Sequence, residues 1–171
     1  MMFLNPKQTI DNLDFLEPNM IALDVGSGSG GFTIPLSRKL EDGKVYAVDI
    51  QEEPLSALRS KLDSERIYNV ELVLADIQKG VRIADNKIDF VILSNVLFEI
   101  EDKEAVFKEV KRVLKDEGHL LVIDWKESSK IGAKELVISK EEIQSKLEEL
   151  GFKLEKDFNL GNYHFGLIFR K

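Results

Sequence analysis

The segment Met20-Ile21-Ala22-Leu23-Asp24-Val25-Gly26-Ser27-Gly28-Ser29-Gly30-Gly31 constrains the fold more than any other stretch of the chain. An apolar, β-branched run that enters a glycine cluster and then passes into helical spacing reads as strand, tight turn and helix. Glycines in such a turn permit left-handed backbone and let a ligand lie against the main chain, while the helix N-terminus adds positive dipole. Phe32, Leu36 and Leu40 share one face of the following helix, expected from about Gly30 to Leu40. Strand one is expected at Met20–Val25.

The same alternation recurs, which predicts βαβ units and a parallel sheet. Further strands are expected at Val45–Asp49, Val70–Ala75, Ile88–Leu93 and Leu120–Trp125, and helices at Pro54–Leu62 and Lys103–Leu114. An opening helix has Asn5 as its cap, Pro6 at its first position and Ile10, Leu13 and Leu16 on its apolar face. Asp76 to Lys87 is too short for a crossover helix and predicts one turn at most. The runs Phe90–Leu93 and Leu120–Ile123 are apolar throughout, as strands covered on both faces are.

The pattern then changes. Ser139 and Glu142 form a capping box for a helix carrying Ile143, Leu147 and Leu150, and Gly151 stands where a C-cap glycine belongs. Two strands, Phe152–Asn159 and Tyr163–Arg170, are joined tightly at Gly161-Asn162 and predict a terminal antiparallel hairpin. The expected architecture is a single α/β domain over residues 1–171. It has a doubly wound, seven-stranded, mostly parallel sheet, a C-terminal antiparallel hairpin and helices on both faces. Lys126 to Lys140 reads as a connection passing over the site, or as an ordinary solvated loop.

Composition removes several function classes. The chain has no cysteine, which excludes disulfide scaffolds and thiol chemistry. With 24 Lys and Arg against 31 Asp and Glu, the formal net charge is −7. An acidic chain has no overall attraction for polyanions, so nucleic acid is a disfavoured partner and a small or cationic ligand suits it better. No apolar run approaches the ~18 residues of a membrane span, and the start lacks a basic, then apolar, leader pattern. A cytoplasmic location is the expectation, with no membrane partner. The two histidines show no ligand spacing, so no metal is expected. The composition permits a homodimer.

Asp49 closes strand two, 21 residues beyond Gly28. At that spacing an acidic side chain meets the hydroxyls of an adenosine ribose. Asp76 closes strand three, where it is either an acceptor for an adenine amino group or a turn-forming Asp. Gly26, Gly28 and Gly31 also satisfy the dinucleotide pattern Gly-x-Gly-x-x-Gly, which is weak evidence by itself.

Taken together, these motifs resemble the class I S-adenosylmethionine-dependent methyltransferases along essentially the whole chain. Ile21 to Gly30 is similar to the family's first motif, Val45 to Ile50 to its second and Leu74-Ala75-Asp76-Ile77 to its third. Asp89 to Leu97 is similar to the fourth, and Phe107 to Asp124, with Arg112-Val113-Leu114-Lys115, to the helix and strand that follow. The resemblance implies a Rossmann-like fold and S-adenosyl-L-methionine as cofactor. It implies that Gly26 and Gly28 bring backbone against the methionine portion, with Asp24 supporting the loop or the ammonium. Asp49 would hold the ribose, Ile50 would pack on adenine, Asp76 would accept from its amino group and the Ile77 amide would donate to its ring. Ser94 would offer its backbone. The ending Ser94-Asn95-Val96-Leu97-Phe98-Glu99 lacks the Pro-Pro-aromatic pattern of nucleic-acid base methylation. It looks like the small-molecule branch related to ubiquinone and menaquinone biosynthesis, which implies an in-line methyl transfer to a small acceptor.

On the acceptor side, topology brings Tyr163, His164, Glu99, Asp124 and Trp125 toward the carboxyl ends of the strands. His164 and Glu99 are the catalytic candidates, each with a bland alternative as a hairpin residue or a surface charge. Two rival functions stand beside methyl transfer. A nicotinamide-dependent oxidoreductase fits the glycines, but no Tyr-x-x-x-Lys pair and no second domain accompany them. A non-catalytic cofactor-binding partner protein fits a chain with little beyond the core fold.

Overall fold

The computed structural model describes residues 4–126 and 138–171. The connection expected over 126–140 lies almost wholly outside these described residues. Helix α1 (Pro6–Asp11) begins as its cap dictates: Asn5 Oδ1 accepts the Gln8 N–H at 3.0 Å, and Pro6 sits in the first turn. The helix stops at Asp11, earlier than the apolar spacing predicts. Ile10, Leu13 and Leu16 are nevertheless all buried, because successive turns carry Leu13 and Leu16 into the same cluster as Ile10.

The strands are β1 (Ile21–Val25), β2 (Lys44–Asp49), β3 (Val70–Leu74), β4 (Ile88–Ser94), β5 (Leu114–Trp125), β6 (Lys153–Leu160) and β7 (His164–Arg170). Among the described residues they form a seven-stranded sheet in the order β3-β2-β1-β4-β5-β7-β6. The first five run parallel, and β7 pairs antiparallel with both β5 and β6. The expected terminal hairpin is therefore present, and it turns the start of β7 back to the carboxyl edge of the parallel strands.

Helices α2 (Thr33–Lys39), α3 (Glu52–Glu65), α4 (Lys103–Val113) and α5 (Lys140–Glu149) cover the two faces. Side chains alternate across each strand. Leu23, Val91, Val122 and Leu167 pack with Val106 and Phe107 of α4 and Ile143 and Leu147 of α5. Their neighbours Ala22, Phe90, Leu121 and Ile168 face Ile10 and Leu36 on the other side. Leu58 and Leu62 of α3 close over Ala47. Each of the larger side chains among them, withdrawn from water, contributes about 1.5–3 kcal/mol. Among the described residues no helix is long and apolar enough to cross a membrane.

Most boundaries move by a residue or more from the sequence reading, and two of the shifts have a visible cause. Helix α2 starts at Thr33, not Gly30, because Gly30 holds a left-handed φ of +94° that no helical residue adopts. β5 starts at Leu114, directly after α4, where its pairing with β4 is irregular between Ile88 and Phe90 before the regular ladder from His119.

Candidate active site

β1 ends against β2. The Gly26 and Ser27 N–H groups both donate to the Val48 carbonyl, at 2.8 and 3.0 Å, which draws the glycine loop toward the end of β2. Asp49 lies there and completes the arrangement. Its Oδ2 accepts the Gly28 N–H at 2.8 Å and its Oδ1 accepts the Gln51 N–H at 2.9 Å. Gly26 has φ +69°, and a Cβ there would come within 2.7 Å of Val96 Cγ2. Gly28 has φ +53°, and its missing Cβ faces open space.

That space is a pocket of about 290 Å³ across the carboxyl ends of β1, β2, β3 and β4. Gly26, Gly28, Asp49, Ile50, Asp76 and Ile77 all line it. Ile50 is 62% exposed, an apolar side chain on the rim with nothing over it. Asp76 caps the short turn Ile77–Lys79, accepting the Gln78 N–H at 3.0 Å, with Lys79 Nζ 3.3 Å away. Partial desolvation works against its charge, but these partners outweigh it and hold the carboxyl below its ordinary value. The turn-forming and pocket-lining readings of Asp76 are thus both realised.

Two residues expected at the cofactor do not line this pocket. Asp24 is 2% exposed and accepts the Thr33 hydroxyl at 2.6 Å, tying β1 to α2. Burial pushes its carboxyl up to about 6; the Thr33 bond opposes this and the charge of Asp49 adds to it. Its contact is the loop-supporting one. Ser94 ends β4 beside Ile123, and it is the next residues, Asn95 and Val96, that reach the pocket. The sequence reading missed Asn95, although a polar residue at a strand end is a usable signal. Its φ is +53°, its N–H donates to the Ile123 carbonyl at 2.9 Å, and its buried Oδ1 has no hydrogen-bond partner among the described residues. Gln78, also missed, donates to Asp76 and accepts the Asp102 N–H.

The two catalytic candidates separate. Glu99 lines the same pocket as Asp49 and Asp76. His164 does not line it. It stands on β7 directly opposite Trp125 of β5, with ring centroids 4.1 Å apart and tilted by 38°. Desolvation, with Lys126 nearby, lowers its pKa and so favours the neutral ring. Lys126 also pins the hairpin turn: its N–H donates to the Tyr163 carbonyl and its Nζ to Asn159 Oδ1 and the Gly161 carbonyl. Asp124 is buried, and desolvation raises its pKa to about 6 against bonds from the Trp125 and Leu97 amides.

A family model described as a methyltransferase domain matches residues 16–161. The chain belongs to the class I S-adenosylmethionine-dependent methyltransferases. It is 32% identical over 127 residues to a demethylmenaquinone methyltransferase of Bacillus mycoides, covering 74% of this chain and 53% of that protein. It is 34% identical over 110 residues to a ubiquinone/menaquinone biosynthesis C-methyltransferase of Shewanella frigidimarina, covering 63% of this chain and 43% of that protein. The chain thus spans about half the length of these curated relatives. The structure superposes on a SAM-dependent methyltransferase from Aquifex aeolicus with a TM-score of 0.88 and 30% identity, over 98% of this chain and 90% of that one.

Proposed function

We propose that this chain, as one domain, transfers a methyl group from S-adenosyl-L-methionine to a small acceptor of the quinone class that its relatives are named for. The observation that carries this reading is the single pocket that gathers Gly26, Gly28, Asp49, Ile50, Asp76 and Ile77. These are backbone, carboxylate and apolar groups in the order an adenosine with an amino-acid arm requires. The open space at Gly28, the uncovered Ile50 and the acidic lining fit that cofactor.

In this reading Asp49 holds the ribose hydroxyls while keeping the glycine loop in place. Asp76 and the Ile77 amide present an acceptor and a donor to adenine, and Ile50 covers its face. Asp24 acts from beneath, through Thr33. The cofactor supplies an electrophilic methyl on a sulfonium, and displacement there needs the acceptor atom in line with it. The chain's task is then positioning and exclusion of water. β4 and β5, which carry that edge, are buried on both faces. Glu99, close to the acidic cofactor pocket, serves binding of the cationic ligand in this reading, and proton removal falls to the acceptor side near His164. The cytoplasm is the proposed location.

Gly26, Gly28 and Gly31 also fit the dinucleotide pattern, and binding separates the two cofactor classes. Calorimetric titration with S-adenosylhomocysteine, with NADH in parallel, tests the reading. Saturable binding of the first alone supports it, and binding of NADH alone overturns it. Cofactor binding without methyl transfer to any reduced naphthoquinone or benzoquinone would favour the non-catalytic partner protein.

A further inference from the structure

The side-chain amide of Gln78 joins two elements on which the pocket depends. Its Oε1 accepts the Asp102 N–H at 2.9 Å, and Asp102 in turn caps α4, its own Oδ1 accepting the Ala105 N–H at 2.9 Å. Its Nε2 donates to Asp76 Oδ1 at 3.2 Å. A backbone N–H can only donate, so the Asp102 bond decides which end of the amide is oxygen and turns the amino end to Asp76. Gln78 and Asp76 both line the pocket at the carboxyl ends of the parallel strands.

That orientation limits what Asp76 can offer a ligand. Each oxygen of a carboxylate has about two acceptor sites. Oδ1 takes the Gln78 N–H at 3.0 Å and the Gln78 side-chain amide at 3.2 Å, and is filled. Among the described residues Oδ2 has one partner, Lys79 Nζ at 3.3 Å, on a side chain that is 83% exposed. An ion pair so open to water is weak. Two bonds on Oδ1 also stop the carboxylate from turning to exchange its oxygens. Asp76 is thus a pure acceptor with Oδ2 left over. A ring amino group can donate to that oxygen, whereas a ring carbonyl in the same place would set lone pair against lone pair.

We propose that Gln78 is a positioning residue for nucleobase selection: it occupies Asp76 Oδ1, leaves Oδ2 to accept from a ring amino group, and so makes the pocket prefer adenine to a base with a carbonyl at that position. This assignment rests on the S-adenosylmethionine reading of the pocket and names a residue that acts on the cofactor through Asp76. Glutamate is the informative replacement. It keeps an acceptor for the Asp102 N–H but sets a second carboxylate against Asp76, and like charges so close hold a proton between them.

The experiment measures, by calorimetry on the whole chain, the affinities for S-adenosylhomocysteine and for S-inosylhomocysteine, its deaminated counterpart, at pH 7.5 and pH 5. The parent should prefer the first by at least about tenfold at both pH values, because Asp76 is held below its ordinary value and stays ionised. Gln78→Glu should lose most of that preference at pH 7.5, through S-adenosylhomocysteine binding weakened roughly tenfold, the scale of a hydrogen bond to a charged group. It should regain the preference at pH 5, where the shared proton restores a donor to Asp76 Oδ1. The other charges around the pair, Lys79, Asp102, Asp49 and Glu99, are common to both proteins, so the ratio of variant to parent isolates the new carboxylate. In an Asp76→Ala background the same substitution should leave the preference unchanged, as expected of a residue that acts through Asp76.

A purely structural role would lower both affinities alike at both pH values, and that result overturns the assignment. A parent that binds the two ligands equally overturns it too, as does a Gln78→Glu whose preference matches the parent's at pH 7.5. Should Gln78→Glu fail to fold, Gln78→Met, which lacks both bonds, decides: a reduced preference without recovery at pH 5 supports the assignment, and an unchanged one overturns it. Failure of the parent to bind S-adenosylhomocysteine would instead sink the cofactor reading, and the role of Gln78 with it.

Discussion

The Asp49 carboxylate accepts the Gly28 N–H at 2.8 Å, a bond between residues 21 apart that locks the glycine loop to the end of β2. One carboxylate therefore shapes the loop and, in the proposed function, holds the ribose. Asp49→Ala removes both effects and should lower S-adenosylhomocysteine affinity by roughly 10- to 100-fold, as loss of hydrogen bonds to a charged group does. Asp49→Asn keeps an acceptor for Gly28 and should lose less. Calorimetry decides, and an affinity for Asp49→Ala within twofold of the parent removes Asp49 from the cofactor site.

Gly28 and Gly26 differ in what a side chain would meet. Gly28→Ala places a methyl in open space at φ +53°, costing about 1–2 kcal/mol of backbone strain and occupying room for the cofactor. It should fold and bind S-adenosylhomocysteine poorly. Gly26→Ala also drives a methyl into Val96, 2.7 Å away, and overpacking adds about 1–3 kcal/mol. Urea unfolding should rank Gly26→Ala as the less stable variant; the reverse order would contradict the loop geometry.

These residues also show what the sequence makes legible. Gly26, Gly28, Asp49 and Asp76 lie at strand ends, and strand ends are readable because burial on both faces forces unbroken apolar runs that stop abruptly. The hairpin was equally legible through Gly151 and Gly161-Asn162. Gln78 was not, since it owes its place to Asp102, distant in sequence, and Asn95, though beside a readable strand end, gave no sign that its N–H would turn to Ile123. Asp24 was read as supporting the loop or the ammonium, and only the fold reveals that its carboxylate turns to Thr33. His119, at the start of the apolar run of β5, stacks on Phe15 at 4.0 Å and pairs with Glu155 at 3.2 Å, contacts no local pattern encodes.

Arg112 shows a motif residue whose work is remote. Its guanidinium bonds Glu109 and Asp85 and the carbonyls of Val81 and Ile83, while Glu109 accepts the Val81 N–H. It thereby fixes the connection that begins with Asp76 and Ile77. Arg112→Ala should cost about 2 kcal/mol of stability and lower S-adenosylhomocysteine affinity severalfold. Arg112→Lys should not rescue it, because an ammonium cannot make the planar fork. Unaltered affinity in a destabilised Arg112→Ala would limit the residue to stability alone.

Asp24 predicts a pH dependence. Burial raises its carboxyl from 3.8 to about 6, so the folded chain holds this proton more tightly than the unfolded one. The group's contribution to stability is complete below pH 4 and is lost as pH rises through about 6. Asp24→Asn lacks that loss and can still accept from Thr33. Its stability relative to the parent should climb between pH 4 and 6.5, by up to about 3 kcal/mol. Urea unfolding across that range would expose the error if the difference stayed flat or fell.

Glu99 tests the electrostatic side of the pocket. It stands with Asp49 and Asp76 around one space, three carboxylates that favour a cation there. S-adenosylmethionine carries a sulfonium charge that S-adenosylhomocysteine lacks, so the pocket should prefer the former, and increasingly so at low salt. Glu99 is exposed, which screens its share. Glu99→Gln should therefore narrow the preference by about fivefold at most, the range of an exposed ion pair, without changing the rate at saturating cofactor. Competition binding of the two ligands at low and high salt measures the preference. A fall in turnover at saturation with the preference intact would instead give Glu99 the catalytic role that its position beyond β4 first suggested.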